Sequence, residues 1–345
     1  MGKKLLNSLG IIWGIVTLLF LIFYALGDPT GYLVEEKADE ATREAVRKRY
    51  GLDQPIGVQY ALYLNRLAPV GWVPASESTG GTLTLIPFPA GAVALKAPAL
   101  GVSFRSNEPV AALVAGHLEG TALLALAAMC VAVCLGIPAG VVAAVNKDKW
   151  PDKAILTSSV LGISAPSFFV GVCVMWLFAI RLHPYTGLPS SGYLFQENIF
   201  EPGRTLDFSR IILPAIALGI RPLAVIVQLM RSSMLDVMQS DFVRTARAKG
   251  LGKSGVIVRH ALRNALNPVV SSVTSWLASL LAGAFFIEYI FNWPGIGQLT
   301  ISALERRDLP VILGCALTVG MMFTLINALT DFLYQWLDPR VRPGT

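Results

Sequence analysis

The chain has 345 residues, of which 54% are hydrophobic and only 14% charged, against roughly 25% charged in a soluble domain. The apolar residues lie in long runs rather than at amphipathic spacing, which argues against a water-soluble globule and for contact with lipid. The net charge of +6 invites a nucleic-acid reading, but no separate soluble module is left to hold such a surface.

A membrane span needs about 20 mostly apolar residues, and six segments qualify in chain order. The first, Leu5–Leu26, follows Lys3 and Lys4. It has no small-x-small cleavage site directly behind it, so it reads as a retained helix rather than a signal peptide. A large external region follows, from Asp28 to about Pro109. Within it, Ala38–Tyr50 is charged and suits a helix with a solvated face, and Gly51-Leu52-Asp53-Gln54-Pro55 breaks it. Val58–Leu67 suits a second short helix with Tyr60, Tyr63 and Leu64 on its apolar side. The stretch Pro69–Ala99 is rich in Gly, Pro, Ser and Thr, and its alternation at Thr82–Ile86 suggests a hairpin strand.

Val110–Gly120 then leads into the second span, Thr121–Val145, either extending that helix or lying at the interface. The remaining spans are Ile155–Ile180, Ile211–Met230, Pro268–Ile290 and Val311–Leu333. The expected division is therefore 1–27 (tail and first helix), 28–110 (external region), 111–335 (membrane core, including a loop over 231–267) and 336–345 (tail). The fold class is an all-α polytopic membrane protein of about six helices.

Basic residues in short loops set orientation. With the N-terminus inside, the inner segments are the N-terminal tail, Asn146–Lys153, Arg231–Asn267 and the C-terminal tail. With Asp331 counted beside the C-terminal tail, they carry 14 Lys and Arg against six acids, and the rest of the chain carries 14 against 16. Both termini are therefore expected on the cytoplasmic side of the membrane.

Arg231–Asn267 contributes seven of those basic residues. Its centre, Asp241-Phe242-Val243-Arg244-Thr245-Ala246-Arg247-Ala248-Lys249-Gly250, suits a short helix that Gly250 ends. Small residues there admit a close partner, and Arg and Lys cover the flanks. Two readings stand on composition: a positive-inside anchor, or a lever that takes a push from a soluble partner. The next residues, Gly250-Leu251-Gly252-Lys253-Ser254, look like the end of a P-loop, but Arg247 stands where its first glycine belongs and no strand precedes it. If ATP drives this protein, another chain is expected to bind it.

Polar residues within the spans stand out. Arg221 sits in the middle of the fourth, beside Pro222 and seven residues after Pro214. An arginine there costs about 2.5–3.5 kcal/mol on insertion scales, so it is expected to face protein or water. It either lines a pathway, or completes a structural pair or satisfies a local carbonyl. Gln228 and Asn327 are candidates for interhelical bonds. Glu288 lies near the external end of the fifth span, with a gate or loop-supporting role set against simple interface placement. His117, Glu119 and His183 read as boundary or loop residues without metal-ligand spacing, and Cys130, Cys134, Cys173 and Cys315 as small buried side chains. No catalytic or metal-binding residue is expected. An ion-coupled secondary transporter would need an ion site at broken helices, an idea that Pro214 and Pro222 keep open. A membrane enzyme lacks its catalytic spacing, and a scaffold would predict transport surviving its loss.

The inner loop resembles the cytoplasmic EAA loop of permease subunits in ATP-driven importers, most closely the version in dipeptide and oligopeptide permeases. In the general form Glu-Ala-Ala is followed by three residues, Gly, nine residues and Ile-x-Leu-Pro. Here Arg244-Thr245-Ala246 stands at the first three positions, Gly250 and Leu262 match, and His260 and Arg263 replace Ile and Pro. The Glu is absent, but Arg-Thr-Ala-Arg-Ala-Lys-Gly and His-Ala-Leu-Arg-Asn-Ala, which runs through Asn264, are typical of the peptide branch. Other pieces fit in order: Tyr50-Gly51-Leu52-Asp53-Gln54-Pro55 with Gln59-Tyr60, Gly101-Val102-Ser103-Phe104-Arg105, Glu288-x-x-Phe291-x-x-Pro294-Gly295-Ile296-Gly297, Arg307-Asp308-x-Pro310-Val311 and Asp338-Pro339-Arg340-Val341-Arg342. The stretch Pro69–Ala99 is longer than the usual connection.

The resemblance implies a B-type permease of the ATP-binding-cassette importers, with the type I permease fold and no enzymatic role of its own. It implies as partners a second, homologous permease, two cytoplasmic ATPase subunits that use ATP and Mg, and a periplasmic or lipid-anchored binding protein that delivers a peptide. It also implies that Asp241, Arg244, Thr245, Ala246, Arg247, Ala248, Lys249, Gly250, His260, Leu262 and Asn264 form the ATPase-coupling region. Arg221, Gln228 and Glu288 are left as pathway or gate candidates. Related systems import nickel complexes, glutathione or sugars such as oligosaccharides.

Overall fold

The structure is a computed structural model that describes residues 2–25, 44, 48, 53–74, 83–89, 91–197, 204–282 and 284–337. The expected helix over Ala38–Tyr50, apart from Glu44 and Lys48, and the tail beyond Leu337 lie outside them. The chain forms two compact units, residues 1–116 with 299–321, and residues 117–298 with 322–345.

The first unit opens with α1 (Gly2–Ala25) and α2 (Ile56–Leu67). Pro55 precedes α2 in an extended conformation, which suits a residue with no N–H to offer a helix. The apolar side of α2 is the expected one. Tyr63, Leu64 and Leu67 pack onto Val16 and Leu19 of α1, while the Phe20 ring lies 5.0 Å from Tyr60 and 5.6 Å from Tyr63. The Tyr60 and Thr17 hydroxyls are 2.6 Å apart.

An antiparallel sheet follows: β1 (Val70–Pro74), β2 (Leu83–Phe88) and β3 (Gly91–Leu95), in the order β1-β3-β2. Its register pairs Trp72 and Ile86 with Val93 from opposite sides. The strand expected at Thr82–Ile86 is β2, and its two companions went unread. Proline decides the order: Pro74 and Pro87 cannot donate to a ladder, so they sit on the edges, and proline-free β3 is central. The Asn65 amide ties α2 to β1 by bonding both the N–H and the C=O of Trp72, at 2.8 and 2.9 Å.

The second unit is built on α3 (Val110–Val145) and α7 (Ser209–Met238). Between them run α4 (Trp150–Ser164), α5 (Ser167–Val174, continued to Arg181 by wider π-helical turns), the short α6 (His183–Thr186) and a hairpin of β4 (Phe195–Glu197) and β5 (Arg204–Leu206). After α7 come α8 (Asp241–Ala248), a helical return over Lys253–Gly255 and Val256–Leu262, α9 (Arg263–Ala282) and α10 (Phe285–Ile290). Two helices follow α10 among the described residues, α11 (Ile296–Glu305) and α12 (Leu309–Leu337).

The core of this unit sets Leu124, Ala125, Ala128 and Ala132 of α3 with Leu213, Ala217, Ile226 and Met230 of α7. Alanine and glycine let membrane helices approach closely. A side chain at Gly140 would run into Met230 and the Val227 carbonyl, and one at Gly219 into the Ala128 carbonyl.

Among the described residues three helices are long and apolar enough to cross a membrane: Val110–Val145, Ser209–Met238 and Leu309–Ala328. A fourth crossing is added if α4 and α5 are one span, bent by 112°. This corrects the expectation of one continuous helix over Ile155–Ile180. Ala165 precedes Pro166, is driven out of the helical region to ψ 134°, and ends α4. The expected span Pro268–Ile290 is also divided: α9 begins earlier, at Arg263, holds Pro268 inside it and stops at Ala282, and α10 is separate. Val110–Gly120 extends the second span, since α3 starts at Val110. Of the cysteines, only Cys315 is buried. Cys130 and Cys134 sit one turn apart on the face of α3 turned from the core, their sulfurs 3.8 Å apart, and Cys173 is exposed too. The expectation of buried thiols therefore fails for three of the four.

Candidate functional site

Only two residues separate α7 from α8. Helix α8 buries a single stripe: Val243 and Ala246 pack with Val256 and with Val237 at the end of α7. Asp241, Phe242, Arg244, Thr245, Arg247, Ala248 and Lys249 are exposed. Arg244 and Asp241 face each other at 3.7 Å in full solvent exposure, where an ion pair contributes little to stability. Thr245 returns its hydroxyl to the Asp241 carbonyl at 2.9 Å.

The helix ends where the sequence said it would. Gly250 adopts a left-handed φ of +81°, its N–H reaches the Arg247 carbonyl at 3.0 Å, and that of Leu251 reaches Ala246 at 3.4 Å. Such a turn closes a helix with glycine because a Cβ there is strained. The space around Gly250 is open, so the demand is on the backbone alone. The return segment packs beside α8 and α7. His260 and Leu262 are half-buried in its π-helical turns, Leu262 against the main core, and the exposed Asn264 caps the His260 carbonyl at 2.9 Å. The expected coupling residues thus fall into three groups: an exposed face on α8, a buried seat at Ala246, and a return segment that braces the seat.

Glu288 is fully buried. Its carboxylate accepts the Thr121 hydroxyl at 2.8 Å and the backbone N–H groups of Gly297 and Gln298 at 2.7 and 3.2 Å. Thr121 in turn accepts the Ile296 N–H at 2.8 Å. The opening N–H groups of α11, which have no partner within a helix, therefore meet an acid where a helix N-terminus favours one. The Trp293 indole donates to the Gly120 carbonyl at 2.8 Å and meets the Tyr193 ring edge-on at 5.1 Å. A Cβ at Gly295 would fall onto the Glu288 carboxylate, which gives the Pro294-Gly295-Ile296-Gly297 motif its physical reason.

Two motif pieces that sequence reading left apart come together in the first unit. The Ser103 hydroxyl donates to Asp308 at 2.5 Å, the Phe104 N–H to the same carboxylate at 3.2 Å, and the Arg105 side chain to the Arg306 carbonyl at 2.9 Å. Sequence reading also missed a two-point ion pair between Asp152 and Arg231, counted there only as loop charges. Their bonds are 2.5 and 2.7 Å long. A lone acid in the first turn of one span and a lone arginine near the end of another were the available signal.

Arg221 is exposed and makes no hydrogen bond or ion pair among the described residues. Gln228 and Ser232 lie two and three turns along the same face of α7, half-buried and exposed. Asn327 and Glu119 are exposed, as is His183, whose ring nitrogen is 3.1 Å from the Leu188 carbonyl.

Long apolar helices, a sharply bent helix pair and a short amphipathic helix directly after one of the long ones define a multi-pass membrane protein. The chain belongs to the family of binding-protein-dependent transport system inner membrane components, whose profile matches residues 136–343. It is 34% identical to the dipeptide transport system permease protein of Alkalihalophilus pseudofirmus, over 99% of this chain and 98% of that protein. It is 33% identical to the glutathione transport system permease protein of Escherichia coli K12, over 99% and 97%. A chain of the MetNI methionine ABC transporter, solved in inward-facing conformations, superposes with a TM-score of 0.50 at 16% identity, covering 67% of this chain and 99% of that one. The fold is that of a type I ABC importer permease.

Proposed function

We propose that this subunit forms half of the pathway of an ATP-driven peptide importer and couples it to partner ATPases through α8. The observation that carries the coupling is the construction of that helix. It sits on two apolar side chains, turns every charged residue and Phe242 outward, and is closed by a left-handed Gly250. A rigid knob of this kind fits a groove on a soluble partner, and its short tie to α7 carries the partner's movement into a span.

In this reading the six apolar segments all cross the inner membrane, both termini are cytoplasmic and residues 28–110 form a periplasmic region. A second, homologous permease completes the pathway, and Arg221 and Gln228 line this chain's side of it. A binding protein delivers the peptide, and two ATPases use ATP and Mg. Alternation between inward and outward states requires the ATPases to bind the two unequally. The 34% relative named for dipeptide transport supports a peptide cargo. The 33% relative named for glutathione transport favours a second reading, a short γ-linked peptide.

The test is to purify the intact complex from membranes, identify the co-purifying subunits, and determine the ligand on the binding protein. Two ATPases and a peptide support the proposal. A complex with no ATPase overturns the coupling reading, and a sugar or nickel chelate as ligand overturns the cargo.

A further inference from the structure

Helix α7 leads into α8, and α8 rests partly on Val237 at the end of α7. Displacement of α8 therefore displaces that end of α7. Arg231 lies two turns before it, and its guanidinium grips Asp152 in the first turn of α4. The grip has two points, Nε to Oδ1 at 2.5 Å and Nη2 to Oδ2 at 2.7 Å. Two parallel bonds fix orientation as well as distance. Asp152 is 2% exposed and Arg231 20%. The second carboxylate oxygen also accepts the Asp148 N–H at 2.9 Å, so Asp152 anchors the turn between α3 and α4, where Asp148 holds a left-handed φ of +64°. Helix α4 packs along α7 and is the first leg of the pair bent at Ala165-Pro166.

We propose that the Asp152–Arg231 pair is the joint that carries movement of the ATPase-docking helix from α7 into α4 and the bent span. This rests on the reading of α8 as the docking helix. Without the pair, α4 meets α7 through apolar and small side chains, which can slide. With it, the end of α7 and the start of α4 turn as one body. Neither side chain reaches the exposed face of α8, so ATPase docking and force transmission are separable.

The test compares Asp152→Asn, Arg231→Lys and the double variant Asp152→Asn/Arg231→Gln in the complete importer. Three quantities are measured: ATPase subunits retained on purification, ATP hydrolysed, and substrate taken up per ATP in proteoliposomes. Arg231→Lys keeps the charge and loses the second bond, and the double variant keeps neutral hydrogen-bonding partners without buried charge. The expected result is wild-type retention of ATPases, continued hydrolysis, and uptake per ATP lowered roughly tenfold, within the usual range of coupling between sites. Arg231→Lys falls between, and the double variant is no worse than Asp152→Asn. Wild-type uptake per ATP in all three would overturn the proposal. So would failure of both Arg231→Lys and the double variant to assemble, because the pair would then serve folding alone. Failure of the docking reading looks different: Gly250→Val would leave ATPase retention unchanged.

Discussion

Gly250 is the residue at which strain and function are easiest to separate. A Cβ there meets nothing within 4 Å, so substitution acts through φ alone. A left-handed residue other than glycine costs about 1–2 kcal/mol, with asparagine and aspartate better tolerated. Gly250→Val is expected to unwind the end of α8 and lose co-purifying ATPase, while Gly250→Asn retains it. Equal retention by both would overturn the reading of α8 as the docking helix. Glu288 makes the opposite case, a side chain held by contacts rather than conformation. Glu288→Ala leaves the Thr121 hydroxyl, the buried Gly297 N–H and the half-buried Gln298 N–H without their acceptor and opens a cavity, a loss of roughly 3 kcal/mol or more. Glu288→Gln retains one acceptor oxygen for the α11 N–H groups and can turn its amide toward Thr121, so about half that loss is expected. Thermal inactivation of the solubilised subunit should rank wild type, Gln, then Ala. An Ala variant as stable as wild type would show that water fills the pocket and that the loop needs no acid.

Elements were legible where one local rule acts and illegible where two compete. Helix α8 could be read residue by residue, since alanine, arginine and a closing glycine agree. The break at Ala165-Pro166 was missed because hydropathy stays high across it, and hydropathy carries no record of direction. The strands β1 and β3 were missed for another reason: Val70–Pro74 and Gly91–Leu95 have few residues each and find their partners only through pairing. The start of α7 was equally silent. Ahead of it, Asp207 accepts the Ser209 hydroxyl at 2.5 Å and N–H at 3.1 Å, and the Arg210 guanidinium at 2.9 Å. Arg210 also holds the Ser191 carbonyl at 2.9 Å. The Ser209 hydroxyl first, then Arg210, lowers the Asp207 carboxyl below its ordinary value. A lowered folded-state value means that the contribution is present above the unfolded value and lost as pH falls through the folded one. Wild type should therefore be more heat-stable than Asp207→Asn at neutral pH, and the difference should shrink below about pH 4. A difference that persists unchanged into acid would assign it to shape rather than charge.

At the scale of the whole molecule, the polar face of α7 asks what covers it. Arg221 stands at mid-span, exposed and with no polar partner among the described residues. Facing lipid it would cost about 2.5–3.5 kcal/mol. Gln228 and Ser232 continue the same face, and no membrane helix presents such a row to hydrocarbon without penalty. That face belongs against water or another polar chain, as the proposed pathway wall requires. If Arg221 meets the carboxylate of a passing peptide, replacing it must matter more for substrates that carry one. Arg221→Gln is expected to retain the ATPases and to lower uptake of a peptide with a free C-terminus, while uptake of its C-terminally amidated counterpart falls much less. The measurement is a cycle of two transporters and two substrates, which removes any general damage by the substitution. Equal losses for both peptides would move the partner of Arg221 from the cargo to an acid on the second permease. An acid-to-amide change there that abolishes the effect of Arg221→Gln would then identify it.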